Sequence, residues 1–274
     1  MTPSGDEAGR YEIGDDDESS EREQERLRAL ARLLDPQSIE AIGACGIAAG
    51  WHCLEVGAGA GSLSAWMAER VGADGRVMSL DIDLRFHDDM PGNVIVRQAD
   101  IISDQIPTEH FDVVHARAVL QHLGDDREAV LDKLVVATKP GGWLVLEDAE
   151  MRAFAEQPLP EPLGTVHRAL HEGAAAVQPW WDPTLGTWLP ALCRERGLEV
   201  HEAYGRAWAM RGREDSGEWW FAALEHTAPQ LVAAGIVEQA QVVEALAQAR
   251  SDGFVMMGPV AMTVRARKPL VAGD

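Results

Sequence analysis

Six residues in the N-terminal half have types and spacing that suit one kind of chemistry: Glu55, Gly57, Gly59, Gly61, Asp81 and Asp100. Glycines alternating at 57, 59 and 61 let the main chain bend where a Cβ would forbid it, so its amides can approach a ligand closely. Asp81 ends the strand-like run Arg76–Leu80, where a carboxylate can accept both hydroxyls of a ribose. Asp100 follows a second such run, Asn93–Gln98. Glu55 stands two residues ahead of the first glycine, a place that dinucleotide-binding strands keep apolar. A bend of bare main chain flanked by acids at successive strand ends suits a nucleoside-bearing ligand.

Basic and imidazole groups come next. His115 and Arg117 alternate at the carboxyl end of the strand-like run that begins at Phe111, the end of a strand where open α/β sheets bind ligands. Arg117 can pair with a ligand carboxylate. His115 is the first candidate for a general base, followed by His171, His167 and Tyr11; the alternative for His115 is packing against the ligand. His122 reads as a hydrogen-bonded structural histidine. His167 and His171 share a helix face at i and i+4, which is also metal-ligand spacing. Arg168, however, stands where a zinc-protease helix has its glutamate, and no third ligand is in view, so a surface pair without metal is expected. Cys45, Cys53 and Cys193 form no CxxC, which points to reduced thiols.

The segment Glu55-Val-Gly-Ala-Gly-Ala-Gly61, with Asp81, resembles the cofactor site of class I S-adenosylmethionine-dependent methyltransferases. It is most similar to the UbiE-like, methyltransferase-domain group that acts on small molecules, and the resemblance covers Tyr11 to Glu150. It implies an α/β fold: a Rossmann-like seven-stranded, mostly parallel sheet with helices on both faces, its last strand inserted antiparallel beside the fifth. It also implies S-adenosyl-L-methionine as cofactor and S-adenosyl-L-homocysteine as product. Asp81 then meets the ribose and Asp100 the adenine amino group, with His115, Ala116 and Arg117 around the methionine end. The implied seat comprises Tyr11, Glu55, Gly57, Ala58, Gly59, Asp81, Ile82, Asp100, Ile101, His115, Ala116 and Arg117. Asp83, on the same strand face as Asp81, is expected to cap a helix. The lead-in from Tyr11 through the charged helix Glu25–Leu34 folds over the cofactor mouth in relatives; the alternative is a solvated tail.

These residues need elements to hold them. A buried strand around Cys53–Val56 enters the glycine bend, and a helix from Ser62 to Val71, opened by a serine able to cap it, leaves it. A helix from Pro36 to Ile47 leads into that strand, and Arg127–Thr138 forms another helix. Lys139-Pro-Gly-Gly142, a landmark of the resembled family, turns the chain into a fifth strand, Trp143–Glu147. Leu198–Met210 reads as a sixth strand and Phe254–Arg265 as the last, broken at Gly258-Pro259.

The chain divides into an acidic tail and possible lid (1–25), a cofactor-binding core (26–150), helical cap insertions (151–185 and 207–250) and the rest of the sheet (186–206 and 251–274). Tryptophans gather in or beside the cap, and His167, Trp180 and Trp181 are candidates for an aromatic-lined substrate pocket.

With 24 basic and 45 acidic side chains the formal charge is −21, a field that repels a phosphate backbone and argues against nucleic-acid partners. No apolar run reaches membrane-spanning length and the acidic N-terminus is no signal peptide, so a cytoplasmic protein with no membrane partner and an open oligomeric state is expected. The aspartate after the fourth strand that magnesium-dependent relatives use is replaced by His115-Ala-Arg117, and no cysteine follows a proline as in cytosine C5 enzymes. The expected reaction is in-line methyl transfer to an O, N or C atom of a small hydrophobic or aromatic molecule, with secondary metabolism as the expected setting. Two alternatives are a cofactor-bound protein with non-methylating work, such as cyclisation or regulation, and a nicotinamide-dependent oxidoreductase. The latter wants Gly-x-Gly-x-x-Gly, whereas position 62 is serine.

Overall fold

Short runs of Val, Leu and Ile between glycine-containing turns set the framework. The computed structural model describes residues 17–87, 89–177 and 180–270. In chain order its strands are β1 (His52–Val56), β2 (Arg76–Asp81), β3 (Val94–Gln98), β4 (Phe111–Arg117), β5 (Thr138–Glu150), β6 (Glu199–Arg206), β7 (Ala209–Arg211), β8 (Val255–Met257) and β9 (Val260–Arg267). Seven form one sheet in the order β3-β2-β1-β4-β5-β9-β6. β1 to β5 run parallel and β9 inserts antiparallel between β5 and β6; its place beside the fifth strand is the one the family resemblance implies. Parallel strands need crossovers, which put helices on both faces and account for the apolar character of the central strands.

The helices are α1 (Asp17–Gly43), α2 (Ser62–Val71), α3 (Arg127–Ala137), α4 (Arg152–Ala155), α5 (Leu163–Val177), α6 (Leu189–Glu195), α7 (Asp215–Ala233) and α8 (Gln239–Ala249). On one face, Ile42 of α1 and Met67 and Val71 of α2 bury against Cys53, Val77, Val113 and Val145. On the other, Leu131 and Leu134 of α3 and Leu189 and Cys193 of α6 bury against Leu54, Val114 and Leu144. A second apolar core gathers Phe154, Val166, Leu170, Trp220, Phe221 and Leu224 from α4, α5 and α7, closed by Met210 and Met256 of the two-stranded sheet β7–β8.

Several local expectations are corrected. The helix expected to start at Pro36 is the continuation of α1, which runs through that proline. A proline interrupts the helix ladder at a cost of about 3 kcal/mol, but both halves are held down: Ala29, Ala41 and Ile42 are buried, and Gln37 and Ser38 bond into the sheet. Gly61, in a left-handed conformation with φ 75°, takes the N-cap of α2, so Ser62 is that helix's first residue rather than its cap. The Lys139–Gly142 reversal falls within β5, as a register shift between Phe111↔Thr138 and Val113↔Trp143. The expected sixth strand divides at Arg206, because β7 leaves the main sheet to pair with β8. Among the described residues no helix is long and apolar enough to cross a membrane.

Candidate functional site

The glycine turn is pinned to the end of β2. The Gly57 and Ala58 N–H groups donate to the Leu80 carbonyl at 2.9 and 3.1 Å. The Gly59 N–H donates to Asp81 Oδ2 at 2.7 Å, and Asp81 Oδ1 accepts the Asp83 N–H at 3.0 Å. Gly57 and Gly59 have φ of 70° and 57°, a region where a Cβ crowds the following carbonyl. A Cβ on Gly57 would collide with Val119 from the segment after β4, whereas one on Gly59 would meet Leu27 of α1 at 3.5 Å. The N-terminal half of α1 therefore lies over the glycine turn. Tyr11 and the rest of the expected lead-in before Asp17 fall outside the described residues.

Asp81 is half-buried, and burial pushes its carboxyl above the usual range despite the main-chain donors from Asp83 and Gly59. Beside it Ile82 is 47% exposed, an apolar side chain presented at a strand end. Asp83 accepts the Arg85 N–H and pairs with the Arg85 guanidinium in a turn, so it caps no helix. Asp100 is exposed at the end of β3 and accepts the Ile102 N–H at 2.8 Å, which fixes its own turn. Ile101, Ala58 and Ala116 are buried behind these groups.

Glu55, His115 and Glu147 lie on the sheet face that α1 and α2 cover, on adjacent strands β1, β4 and β5. All three are buried. Glu55 accepts the Ser64 hydroxyl from α2. His115 Nε2 lies 3.1 Å from Glu147 Oε2, and its Nδ1 lies 3.9 Å from Glu55 Oε1. Glu147 also accepts the hydroxyls of Ser38 and, at 2.5 Å, Thr263. Burial raises the Glu55 carboxyl above its usual range, more than His115 and Ser64 lower it. Burial also acts on Glu147, but there the bonds from His115, Ser38 and Thr263 prevail and hold it below the usual range.

The structure places His115 in the interior rather than open at the strand end: its ring is 0% exposed and one nitrogen is engaged by Glu147. Arg117 is engaged as well: Nη2 pairs with Asp35 at 2.9 Å and Nη1 donates to Ser38 Oγ at 2.9 Å, both on α1. His122 Nε2 lies 3.1 Å from the Gln121 amide, and burial lowers this imidazole to about 4, in keeping with a structural role.

His167 and His171 are not a surface pair. They sit in the second core, packed edge-on against Phe154 at 4.9 and 5.2 Å, and His167 Nε2–H donates to the Phe154 carbonyl. Burial holds His171 down at about 3, a neutral ring inside the cap. Among the described residues no three His, Cys, Asp or Glu side chains converge to hold a metal ion. Trp180 lies elsewhere, against the segment after β4: its carbonyl accepts the Gly124 N–H, and the Asp182 N–H donates to the Gln121 carbonyl. His167 thus packs with Phe154, His171 and Trp220, while the Trp180 main chain is bonded to the segment after β4.

The sequence reading missed Asp35, Gln37, Ser38, Ser64, Glu147 and Thr263. Glu147 did leave a signal, an acid closing the apolar run Trp143–Leu146, of the same kind that drew attention to Glu55. The helix residues left none.

Residues 54–146 match the family model described as a methyltransferase domain. The chain is similar to Methyltransferase str2 of Strobilurus tenacellus, 35% identical over 101 residues, a stretch amounting to 35% of each chain. The match thus spans about a third of that relative's length. Among solved structures it is similar to a candidate methyltransferase of Bacillus halodurans (17% identity, 84% of this chain and 97% of that one, TM-score 0.55). It is also similar to the cyclase SpnF (15% identity, 86% and 81%, TM-score 0.53). At these identities the structural likenesses establish the fold.

Proposed function

We propose that this chain, whose residues 54–146 match a methyltransferase-domain family model, is a class I S-adenosylmethionine-dependent enzyme that transfers a methyl group from S-adenosyl-L-methionine to a small, apolar or aromatic acceptor. The observation that carries the reading is the Asp81–Gly59 seat, a half-buried carboxylate bonded to a main-chain turn of left-handed glycines. The donor set fits the cofactor. Asp81 offers acceptor oxygens to a vicinal diol, Ile82 offers an exposed apolar face to a purine, and Asp100 stands at the next strand end for the purine's amino group.

When bound, S-adenosyl-L-methionine supplies a sulfonium-activated methyl carbon open to in-line displacement. The chain's own work is alignment and exclusion of water. Asp81 and the glycine turn fix the nucleoside end. Leu27 and Val119 close over the turn from two sides and shield it. Trp180, whose main chain is held against the segment after β4, and its neighbour Trp181 are the residues we assign to receive a flat acceptor. The histidines considered as bases are engaged within the fold: His115 by Glu147, and His167 and His171 by each other and Phe154. On this reading alignment carries the catalysis, and an acceptor atom that is nucleophilic without deprotonation is favoured.

Calorimetry with S-adenosyl-L-homocysteine, followed by mass spectrometry of an acceptor panel incubated with S-adenosyl-L-methionine, tests the proposal. Heat of binding and a product heavier by one methyl group are expected. Absence of both would overturn it, and a converted acceptor of unchanged mass would assign the fold to non-methylating chemistry instead.

A further inference from the structure

Three neighbouring residues of α1 are tied into the sheet. Asp35 pairs with Arg117, Ser38 donates to Glu147 and accepts from Arg117, and Gln37 donates to Thr263 Oγ1 at 2.7 Å and to the Ala261 carbonyl at 2.9 Å. Thr263 in turn donates to Glu147. Less than three helical turns earlier, Leu27 of the same helix covers Gly59. One continuous helix is thus bonded to Glu147 and lies over the ligand turn.

The opposite end of the array holds the turn from beneath. Glu55 accepts the hydroxyl of Ser64, the third residue of the helix that follows Gly61. Between the two carboxylates stands His115, whose Nε2 bonds Glu147 while its Nδ1 is buried without a hydrogen-bond partner, 3.9 Å from Glu55. A buried polar atom with no partner needs an explanation. Here it marks a ring that can serve one carboxylate or the other. With α1 docked, Glu147 is dry, holds two hydroxyl donors and keeps the ring. With α1 released, Glu147 loses Ser38 and meets water, and a shift of about 1 Å, from 3.9 Å to hydrogen-bonding distance, would turn the ring to Glu55.

We infer that the Glu55–His115–Glu147 array couples docking of α1 to the geometry of the cofactor turn, with Ser38 and Glu147 as positioning residues that never touch the ligand. The inference rests on the S-adenosylmethionine reading above and deepens it by naming what controls the seat. Linkage makes the coupling reciprocal: if docked α1 tightens the ligand, the ligand must hold α1 down by the same factor.

The test combines calorimetry with hydrogen exchange, using S-adenosyl-L-homocysteine as the probe on the full chain. In the wild type, ligand should slow amide exchange along α1 as well as at the glycine turn. Ser38→Ala should weaken binding roughly tenfold, inside the roughly 5- to 150-fold span of such couplings, and lose the ligand-induced protection of α1. Ser38→Thr, which keeps the hydroxyl, should restore both. A part that is only structural would lower the melting temperature and leave affinity and α1 protection unchanged, and that result in Ser38→Ala overturns the inference. Should Ser38→Ala not fold, Asp35→Asn, on the edge of the same latch, carries the same expectation and the same refutation. Failure of the wild type to bind at all is a different outcome: it removes the proposed function, and this inference with it.

Discussion

Replacing Asp81 by asparagine probes the seat with one atom changed. The carboxylate now accepts two main-chain donors, Gly59 N–H at 2.7 Å and Asp83 N–H at 3.0 Å. An amide has one acceptor oxygen, so one of those donors must face an NH2 group. A hydrogen bond to a charged group contributes about 1.5–3 kcal/mol, and the half-exposed position selects the lower end. For a chain of this size a loss of about 1.5 kcal/mol lowers the melting temperature by about 3–6 °C. The ligand's diol meets the same deficit, one acceptor where two are needed. A further loss of about 1.5–3 kcal/mol corresponds to roughly 10- to 150-fold weaker binding. Scanning fluorimetry reads the first number and calorimetry with S-adenosyl-L-homocysteine the second. If the variant melts early but binds with wild-type affinity, Asp81 anchors the turn and nothing more, and the diol assignment is refuted.

Three further outcomes follow from the same structure. Gly57→Ala should destabilise the unliganded protein more than Gly59→Ala, because both positions have positive φ but only at Gly57 does the new methyl collide with Val119; equal melting temperatures would contradict this. Asp148 is buried, and burial pushes its carboxyl well above the usual range, against the Gln121 main-chain N–H that favours the anion. A folded value above the unfolded one means that the native state keeps a proton the unfolded chain has released, so stability is lost as pH rises from the unfolded toward the folded value. Asp148→Asn removes that dependence, and its melting temperature relative to wild type should climb with pH; a flat difference would refute the assignment. Cys45, Cys53 and Cys193 are buried free thiols, and burial raises Cys45 and Cys193 to about 12 and Cys53 further still. A thiol reagent near pH 8 should therefore leave the native protein unmodified and label it only on unfolding.

What the sequence determined is local or periodic. Gly57, Gly59 and Gly61 announce left-handed backbone because no other residue adopts it freely, and an acid at the end of an apolar run, such as Asp81, marks the end of a strand. The helix Ser62–Val71 and the run of short strands were legible because hydrophobic periodicity and turn residues are properties of neighbours in the chain, whereas the parallel order and the antiparallel last strand were implied only by the family resemblance. Tertiary structure decided what depends on partners far along it. His115 looked like a base until Glu147, thirty-two residues on, was seen to hold it. Arg117 looked like a clamp for a ligand carboxylate until α1 supplied Asp35 and Ser38. His167 and His171 looked like surface residues because helix spacing says which face they share and not what covers that face; Phe154 and Trp220 cover it. Pro36 looked like a helix start because propensity weighs the local ladder alone, whereas buried contacts on either side of it keep α1 continuous. A side chain's role is set by whichever group satisfies its polar atoms or buries its carbon. When that group is brought in by the fold, only the folded chain can reveal it.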